Sequence, residues 1–120
     1  KVDNFKIVGD RDKLIEIFTN LIDNAIKYSE KNKEVTISFK KEGSLNIVTV
    51  ADQGIGIPKE SIHRITERFF TVDPSKSRSV GGTGLGLAIV KHLVSQHRAE
   101  MDINSVQNQG TTIDIKFNAL

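Results

Sequence analysis

A glycine-rich stretch that runs directly into a helical pattern is the feature that most constrains this fold. The stretch, Val80–Val90, reads VGGTGLGLAIV, so that glycines alternate with small or apolar residues before the helix begins. Glycines permit a tight loop with exposed backbone, and the first turn of a helix leaves N–H groups without intrahelical partners. These amides and the positive end of the helix dipole predict a cradle for phosphate groups. A plain tight turn is the alternative interpretation of the same residues.

Length and composition predict one domain, since 120 residues suffice to bury a core. The net charge is +2 and the basic residues are scattered, which argues against nucleic acid as a partner. The absence of cysteine excludes disulfides, thiolate ligands and a cysteine nucleophile, and it fits the cytoplasmic location that we expect. No apolar run approaches the roughly 18 residues of a membrane span, so we expect no membrane contact by this fragment. Because the chain begins at Lys1, we expect it to belong to a longer protein.

The hydrophobic pattern predicts an α+β fold with five strands and three helices. Strands are predicted at 5–8, 35–40, 45–51, 101–103 and 112–117. Helices are predicted from an N-cap at Asp10 or Asp12 to residue 28, at 59–68 and at 87–96. We expect a two-layer α/β sandwich in which three helices cover one face of a mixed, mainly antiparallel sheet. The polar and basic segment 71–82 has no periodicity and predicts a functional lid, with a disordered surface loop as the alternative.

Four polar side chains share one face of the first predicted helix. Asn20 and Asn24 are four residues apart, and Lys27 and Tyr28 follow three and four residues after Asn24. At this spacing they project from neighbouring positions. Asparagine is a mediocre helix former, so two of them in mid-helix indicate a function, whereas a solvated polar face is the alternative.

An acid followed by two glycines and a proline ends the third predicted strand, in the run Asp52–Pro58 (DQGIGIP). This composition predicts a shaped turn rather than a flexible one, and Pro58 suits the first turn of a helix. Two adjacent aromatic residues, Phe69 and Phe70, close the segment after it.

Four runs of this chain resemble, in their order, the N, G1, F and G2 boxes of the catalytic, ATP-binding domain of sensor histidine kinases. They are Asn20–Tyr28, Asp52–Gly56, Phe69–Phe70 and Gly82–Leu87. That family shares its fold with gyrase-type, chaperone and mismatch-repair ATPases. The resemblance implies that residues 1–120 form one catalytic and ATP-binding domain with a flexible ATP lid. It also implies that the domain binds ATP and Mg²⁺ and donates the γ-phosphate to a histidine on a separate dimerisation domain of the same protein.

The resemblance implies a role for each matching residue. Asn24 would coordinate Mg²⁺, and Asn20 would line the same region. Lys27 would neutralise phosphate charge, and Tyr28 would lie against the base or the sugar. Asp52 would accept a hydrogen bond from the exocyclic amine of adenine, which a guanine oxygen cannot donate.

The remaining implied contacts lie in the loops. Gly54 and Gly56 would let the backbone approach the base beside Ile57, and Thr111 would help to hold adenine through Asp52 and water. Further nucleotide-binding residues are Phe70, Lys76, Arg78, Gly82, Thr83, Gly84, Leu85 and Gly86, of which Lys76 and Arg78 would meet the γ-phosphate. Catalytic roles fall to Asn20, Lys27 and Arg78.

Three places in the chain differ from patterns found in the family or its relatives, and they refine this interpretation. Hydrolysing relatives carry a glutamate four residues before the metal-binding asparagine, where Asn20 stands here, and Glu16 has the wrong spacing to replace it. The resemblance therefore implies transfer of the phosphoryl group to another group rather than to water. Thr66 stands where an aromatic residue is usual, and we expect a looser lid contact. Arg98 and Ala99 replace two usual glycines, and we expect the end of the last helix to differ locally.

Two other functions stay open at this point. One is a conformational switch that binds or hydrolyses ATP, which brisk phosphate release by the isolated chain would favour. The other is an interaction module without nucleotide, which a missing thermal response to ATP would favour. For the kinase, we expect a response regulator receiver domain as a partner, a monomeric fragment and a homodimeric parent. We expect no chemical role for His63, His92 or His97.

Overall fold

The computed structural model describes residues 9–29, 33–67, 70 and 86–118. In chain order these form α1 (Arg11–Tyr28), β1 (Val35–Glu42), β2 (Leu45–Asp52), a 3-10 turn (Lys59–Ser61), α2 (Gly86–Gln96), β3 (Glu100–Val106) and β4 (Gly110–Asn118). The four strands make one antiparallel sheet in the order β1-β2-β4-β3. The sequence predicts hairpins between these strand pairs, with turns at 42–44 and 107–110, and both hairpins, β1–β2 and β3–β4, are confirmed.

Helix α1 begins where the sequence predicts it. The side chain of Asp10 caps the helix by accepting a hydrogen bond from the Lys13 amide at 3.1 Å. Ile17, Leu21 and Ala25 are spaced four residues apart and are buried, so they form the face that meets the sheet. The helical spacing predicts a broader apolar face that includes Ile15 and Ile26, but both are more than half exposed, so the buried face is narrower than predicted.

The core lies between the two helices and one face of the central strands. Alternate residues of β2 and β4 project from that face, and α2 contributes three more apolar side chains. With the buried face of α1, the cluster comprises Ile17, Leu21, Ala25, Val48, Val50, Val90, Leu93, Val94, Ile113, Ile115 and Phe117. Burial of this set in one layer between helices and sheet confirms the two-layer α+β arrangement.

The predicted numbers of elements are wrong for the described part of the chain, which has four strands and two α-helices rather than five and three. The strand predicted at 5–8 and the lid predicted at 71–82 fall outside the described residues. The segment predicted as a helix at 59–68 is a single 3-10 turn followed by further turns. Its backbone bonds span three residues, as in Ser61 N–H to the Pro58 carbonyl at 2.8 Å and Arg64 N–H to the Ser61 carbonyl at 2.9 Å. All of the described strand pairs are antiparallel, so a mixed sheet is not seen in them.

Helix α2 ends with the hydrogen bonds of a glycine-terminated helix, although no glycine is present. The Arg98 amide donates to the Ser95 carbonyl at 3.0 Å, and the Ala99 amide donates to the Val94 carbonyl at 3.1 Å. These are the two bonds of a Schellman motif, which requires a left-handed residue. Arg98 adopts that conformation, with φ of 55°. The helix end therefore differs from the family pattern in backbone strain and not in its bonding.

A histidine joins the end of α2 to the start of α1. Nε2 of His97 accepts the Asp10 amide at 3.1 Å, and Nδ1 lies 2.8 Å from the Leu93 carbonyl oxygen. Because Nε2 accepts a hydrogen bond, it carries no proton. The ring is therefore neutral, and its proton lies on Nδ1, which donates to the Leu93 carbonyl. The residue to which we assigned no chemical role thus has a structural one.

Neither described helix combines the length and the apolar character that a bilayer crossing would need.

Candidate functional site

Asn20 lies on the flank of α1 that faces α2. Nδ2 of Asn20 donates to the Glu16 carbonyl at 2.9 Å, which orients its Oδ1 away from that turn. A Cβ placed on Gly86 would lie 3.6 Å from this oxygen, so Asn20 meets the first described residue of α2. Asn24 is half-buried one turn further along. The structure therefore brings Asn20 of the N box next to Gly86 of the G2 box.

The basic residue of this helix face has an acidic neighbour that the sequence analysis did not consider. Lys27 Nζ forms an ion pair with Asp23 Oδ2 at 3.0 Å, four residues earlier on α1. Asp23 is more than half exposed and the lysine is about one-third exposed, so the pair is worth at most about 1 kcal/mol. A stronger anion, such as a phosphate group, can therefore compete for Lys27.

The acid at the end of β2 is held by two backbone amides. Oδ1 of Asp52 accepts the Gly54 amide at 2.9 Å and the Thr111 amide at 3.2 Å. Burial raises the pKa of the Asp52 carboxyl above its usual value, and these two hydrogen bonds partly offset that effect. Both bonds end on Oδ1, and no described residue donates to Oδ2. Asp52 thus presents one carboxylate oxygen that can accept a hydrogen bond from a ligand.

The loop after Asp52 approaches its neighbours too closely for side chains at two positions. A Cβ on Gly54 would lie 2.2 Å from the Tyr28 carbonyl oxygen, where the Ile55 amide also donates at 3.3 Å. Gly56 has φ of 69°, and a Cβ there would lie 2.2 Å from the Val106 carbonyl oxygen. A side chain at either position would clash with a backbone carbonyl, and the positive φ of Gly56 also favours glycine. The loop is therefore fixed between the end of α1 and the β3–β4 hairpin, as a shaped turn.

Tyr28 and Thr111 flank the acid from two sides. Tyr28 is half-buried at the end of α1, and the next residue, Ser29, forms an isolated antiparallel bridge with Gly54. Thr111 is buried on β4 and donates its amide to Asp52. The structure thus brings together three residues that are far apart in sequence and that the resemblance assigns to the base or, for Tyr28, to the base or the sugar.

A cavity of about 260 Å³ opens beside this group. Asp52, Ser105, Gly110 and Thr111 line it, together with hairpin residues of the opposite sheet face such as Asn104. The cavity therefore reaches around the hairpin and marks the edge of the site rather than its full volume.

Phe70 is the described member of the F box. The guanidinium of Arg64 lies over its ring at 4.6 Å, and the Phe70 amide donates to the Glu67 carbonyl at 3.2 Å. These described contacts place Phe70 against the turns that follow the 3-10 segment. Six predicted nucleotide-binding residues, namely Lys76, Arg78, Gly82, Thr83, Gly84 and Leu85, lie outside the described residues.

The sequence analysis missed Ser105, which contacts two of the predicted site segments. Its Oγ accepts the Ile57 amide at 2.7 Å and lies 2.8 Å from the Thr111 hydroxyl. Ser105 pairs with Thr111 across the β3–β4 hairpin. Centring the predicted turn on Gln107–Gln109 would have given this pairing from sequence.

Comparison with known proteins agrees with the motifs. The family profile of histidine kinase-, DNA gyrase B- and HSP90-like ATPases matches residues 9–119. The sensor-like histidine kinase SenX3 of Mycolicibacterium smegmatis is 42% identical over 113 residues, which are 94% of this chain and 29% of SenX3. This chain thus spans less than a third of that relative's length.

Two solved structures have the same fold. The mycobacterial sensor histidine kinase MprB superposes with a TM-score of 0.81 at 31% identity, covering 93% of this chain and 76% of that one. Full-length ShkA in complex with AMPPNP superposes with a TM-score of 0.77 at 26% identity, covering 95% of this chain and 23% of that one. On its sequence, its fold and the arrangement around Asp52, the chain belongs to the family of histidine kinase-, DNA gyrase B- and HSP90-like ATPases.

Proposed function

We propose that this chain is the kinase module of a two-component sensor, which binds Mg·ATP and donates the γ-phosphate to a histidine on a separate dimerisation domain. The observation that carries the proposal is the geometry of Asp52, whose Oδ1 is held by two amides while no described residue donates to Oδ2. The relation to SenX3 and the AMPPNP complex of ShkA support the same conclusion.

Asp52 selects adenine through its charge state and orientation. An ionised carboxylate only accepts hydrogen bonds, so Oδ2 pairs with the exocyclic amine of adenine and repels the oxygen that guanine carries there. A polar site of this kind discriminates strongly, because a mismatched base leaves buried acceptors unpaired. Gly54 and Gly56 keep the loop backbone close to the base, with Ile57 on its apolar side.

The polar face of α1 serves the phosphates. Asn24 offers a neutral oxygen that suits Mg²⁺, which prefers oxygen ligands and takes most of its charge balance from ATP phosphates. Among the described residues, no group of three or more acidic or histidine side chains is placed to hold a metal. When bound, Mg²⁺ supplies electrostatic stabilisation of the transferring phosphoryl group. Asn20 and Lys27 position and neutralise the phosphate oxygens, and we propose Lys76, Arg78 and residues 82–86 as the cover over them.

Transfer to a protein side chain, rather than to water, is supported by Asn20. An amide cannot remove a proton from water, and the Nδ2 group of Asn20 is already bonded to the Glu16 carbonyl. Glu16 itself is exposed, one turn before Asn20. We propose that the acceptor histidine lies on a dimerisation domain of the longer protein and that a response regulator receives the phosphoryl group. We therefore expect the chain alone to release phosphate from ATP slowly, and brisk release would favour the hydrolysing switch.

The substitution Asp52→Asn tests the nucleotide site directly. The amide can still accept the Gly54 and Thr111 amides, but it no longer offers a charged acceptor to adenine. Since a hydrogen bond to a charged group contributes about 1.5–3 kcal/mol, we expect ATP affinity to fall about 10- to 150-fold by titration calorimetry. Asp12→Asn is the matched control, because Asp12 is an exposed acid in the first turn of α1. Equal ATP affinity of Asp52→Asn and the unmodified chain would refute the proposed role.

A further inference from the structure

The hydroxyl of Ser105 on β3 is the point where the loop after Asp52 and strand β4 meet. Its Oγ lies 2.7 Å from the Ile57 amide, 3.0 Å from the Gly110 carbonyl oxygen and 2.8 Å from the Thr111 hydroxyl. Ser105 is only partly exposed, and it lines the cavity beside Asp52.

Only one set of proton positions lets all three contacts be hydrogen bonds at the same time, and we infer that set. A serine carries one proton and two lone pairs. The Ile57 amide can only donate and the Gly110 carbonyl can only accept, so the Ser105 proton points to Gly110. The remaining lone pair of Ser105 must then receive the proton of Thr111. Toward any other neighbour, Thr111 Oγ1 can consequently only accept a hydrogen bond.

From this polarity we propose that Ser105 is a positioning residue for base selection, because it makes Thr111 an acceptor on the same side of the site as Asp52. The inference deepens the proposed function and rests on it. Asp52 and Thr111 together then form an edge that accepts hydrogen bonds and donates none. Such an edge admits a purine with an amine at C6, or a water that donates to it, and disfavours a purine with a carbonyl oxygen there.

Ser105 also ties the loop to the hairpin. The Ile57 amide bond to Ser105 acts beside the backbone bond from the Asn108 amide to the Ile55 carbonyl, at 2.7 Å. Without the serine hydroxyl the loop keeps the second bond, so it stays attached to the hairpin. The Thr111 proton, in contrast, is released from its fixed direction and can turn toward a ligand oxygen.

The test compares two nucleotides that differ at C6, ATP with an amine and ITP with a carbonyl oxygen. The affinity of each is measured by calorimetry for the unmodified chain and for Ser105→Ala. We expect the unmodified chain to bind ATP more tightly than ITP. In the variant, the ratio of ATP affinity to ITP affinity should be about tenfold lower, which corresponds to one hydrogen bond. Ser105→Thr, which keeps the hydroxyl, should restore the preference, and Ser38→Ala serves as the control for loss of an exposed strand serine.

A purely structural role of Ser105 predicts a different result. Weaker binding of ATP and ITP by the same factor, with the ratio unchanged, would overturn the proposal while the proposed function stands. Equal affinity of the unmodified chain for ATP and ITP would overturn base selection by Asp52 and this inference with it. If Ser105→Ala does not fold, Ser105→Cys keeps the shape with a weakly bonding group, and its ATP-to-ITP ratio decides in the same way. In a Thr111→Val background, Ser105→Ala should leave the ratio unchanged, since its effect passes through the threonine hydroxyl.

Discussion

Replacing Arg98 with glycine should stabilise the protein, because the end of α2 forces a non-glycine residue into the left-handed region. Arg98 has φ of 55° and completes the Schellman bonds of the helix. A left-handed conformation costs a residue with a Cβ roughly 1–2 kcal/mol. Glycine removes that cost, but it adds about 0.4–1 kcal/mol of freedom to the unfolded chain. The net gain is about 0.5–1 kcal/mol, or a rise in Tm of about 2–4 °C for a domain of this size.

The measurement is urea unfolding of Arg98→Gly beside Arg98→Ala. Alanine also removes the arginine side chain, but it retains the Cβ and therefore the strain. The hydrogen bond from Asn118 Nδ2 to the Arg98 carbonyl, at 3.4 Å, involves the backbone and is kept in both variants. We expect the glycine variant to be more stable than the alanine variant. Equal free energies of unfolding for the two would show that the left-handed backbone costs nothing and would refute the reasoning.

Two further perturbations test the acid and the histidine. Because burial raises the Asp52 pKa, the folded state binds more protons than the unfolded one as pH rises from about 3.8, so stability attributable to Asp52 falls through that window. Without nucleotide, Asp52→Asn should therefore become more stable relative to the unmodified chain between pH 4 and pH 7 in urea unfolding, and a constant difference would contradict this. His97→Ala removes the hydrogen bonds to Asp10 and Leu93, and we expect a loss of about 1–2 kcal/mol by the same method, whereas unchanged stability would show that the bridge is incidental.

Elements with a sustained period could be predicted from the sequence, and short ones could not. Helix α1 has three buried positions at a spacing of four and a capping aspartate, and β4 alternates Ile113, Ile115 and Phe117 into the core. The segment after Pro58 carries Ile62 and Ile65 at a helical spacing, but of its described residues only Ile65 is buried. One anchor provides little burial to offset the cost of ordering a helix, and short isolated helices are marginal. The tighter 3-10 turn is the result.

The candidate site also contains residues that the sequence indicates and residues that it does not. Asp52, Gly54 and Tyr28 could be singled out because each belongs to a contiguous run that resembles a family motif. Ser105 could not be found in that way, since its contacts to Ile57 and Thr111 depend on the register of the β3–β4 hairpin. The ion pair between Lys27 and Asp23 is local, at a spacing of four, and was available from the sequence.

The cost of burying Asp52 is itself an argument for a ligand. Burial raises the pKa of this carboxyl, so the fold opposes the charge that it carries at neutral pH. The two amides from Gly54 and Thr111 both bind Oδ1 and favour the charge by less than burial opposes it, and a neutral asparagine oxygen could accept both amides as well. Folding alone therefore gives no advantage to a carboxylate at this position. The negative charge becomes favourable once a group with N–H donors binds at Oδ2, as we propose for the amine of adenine. The same loop contacts the Tyr28 carbonyl at the end of α1. In the proposed site, a base held at Asp52 would therefore fix where its phosphates meet Asn24 and Lys27 on that helix.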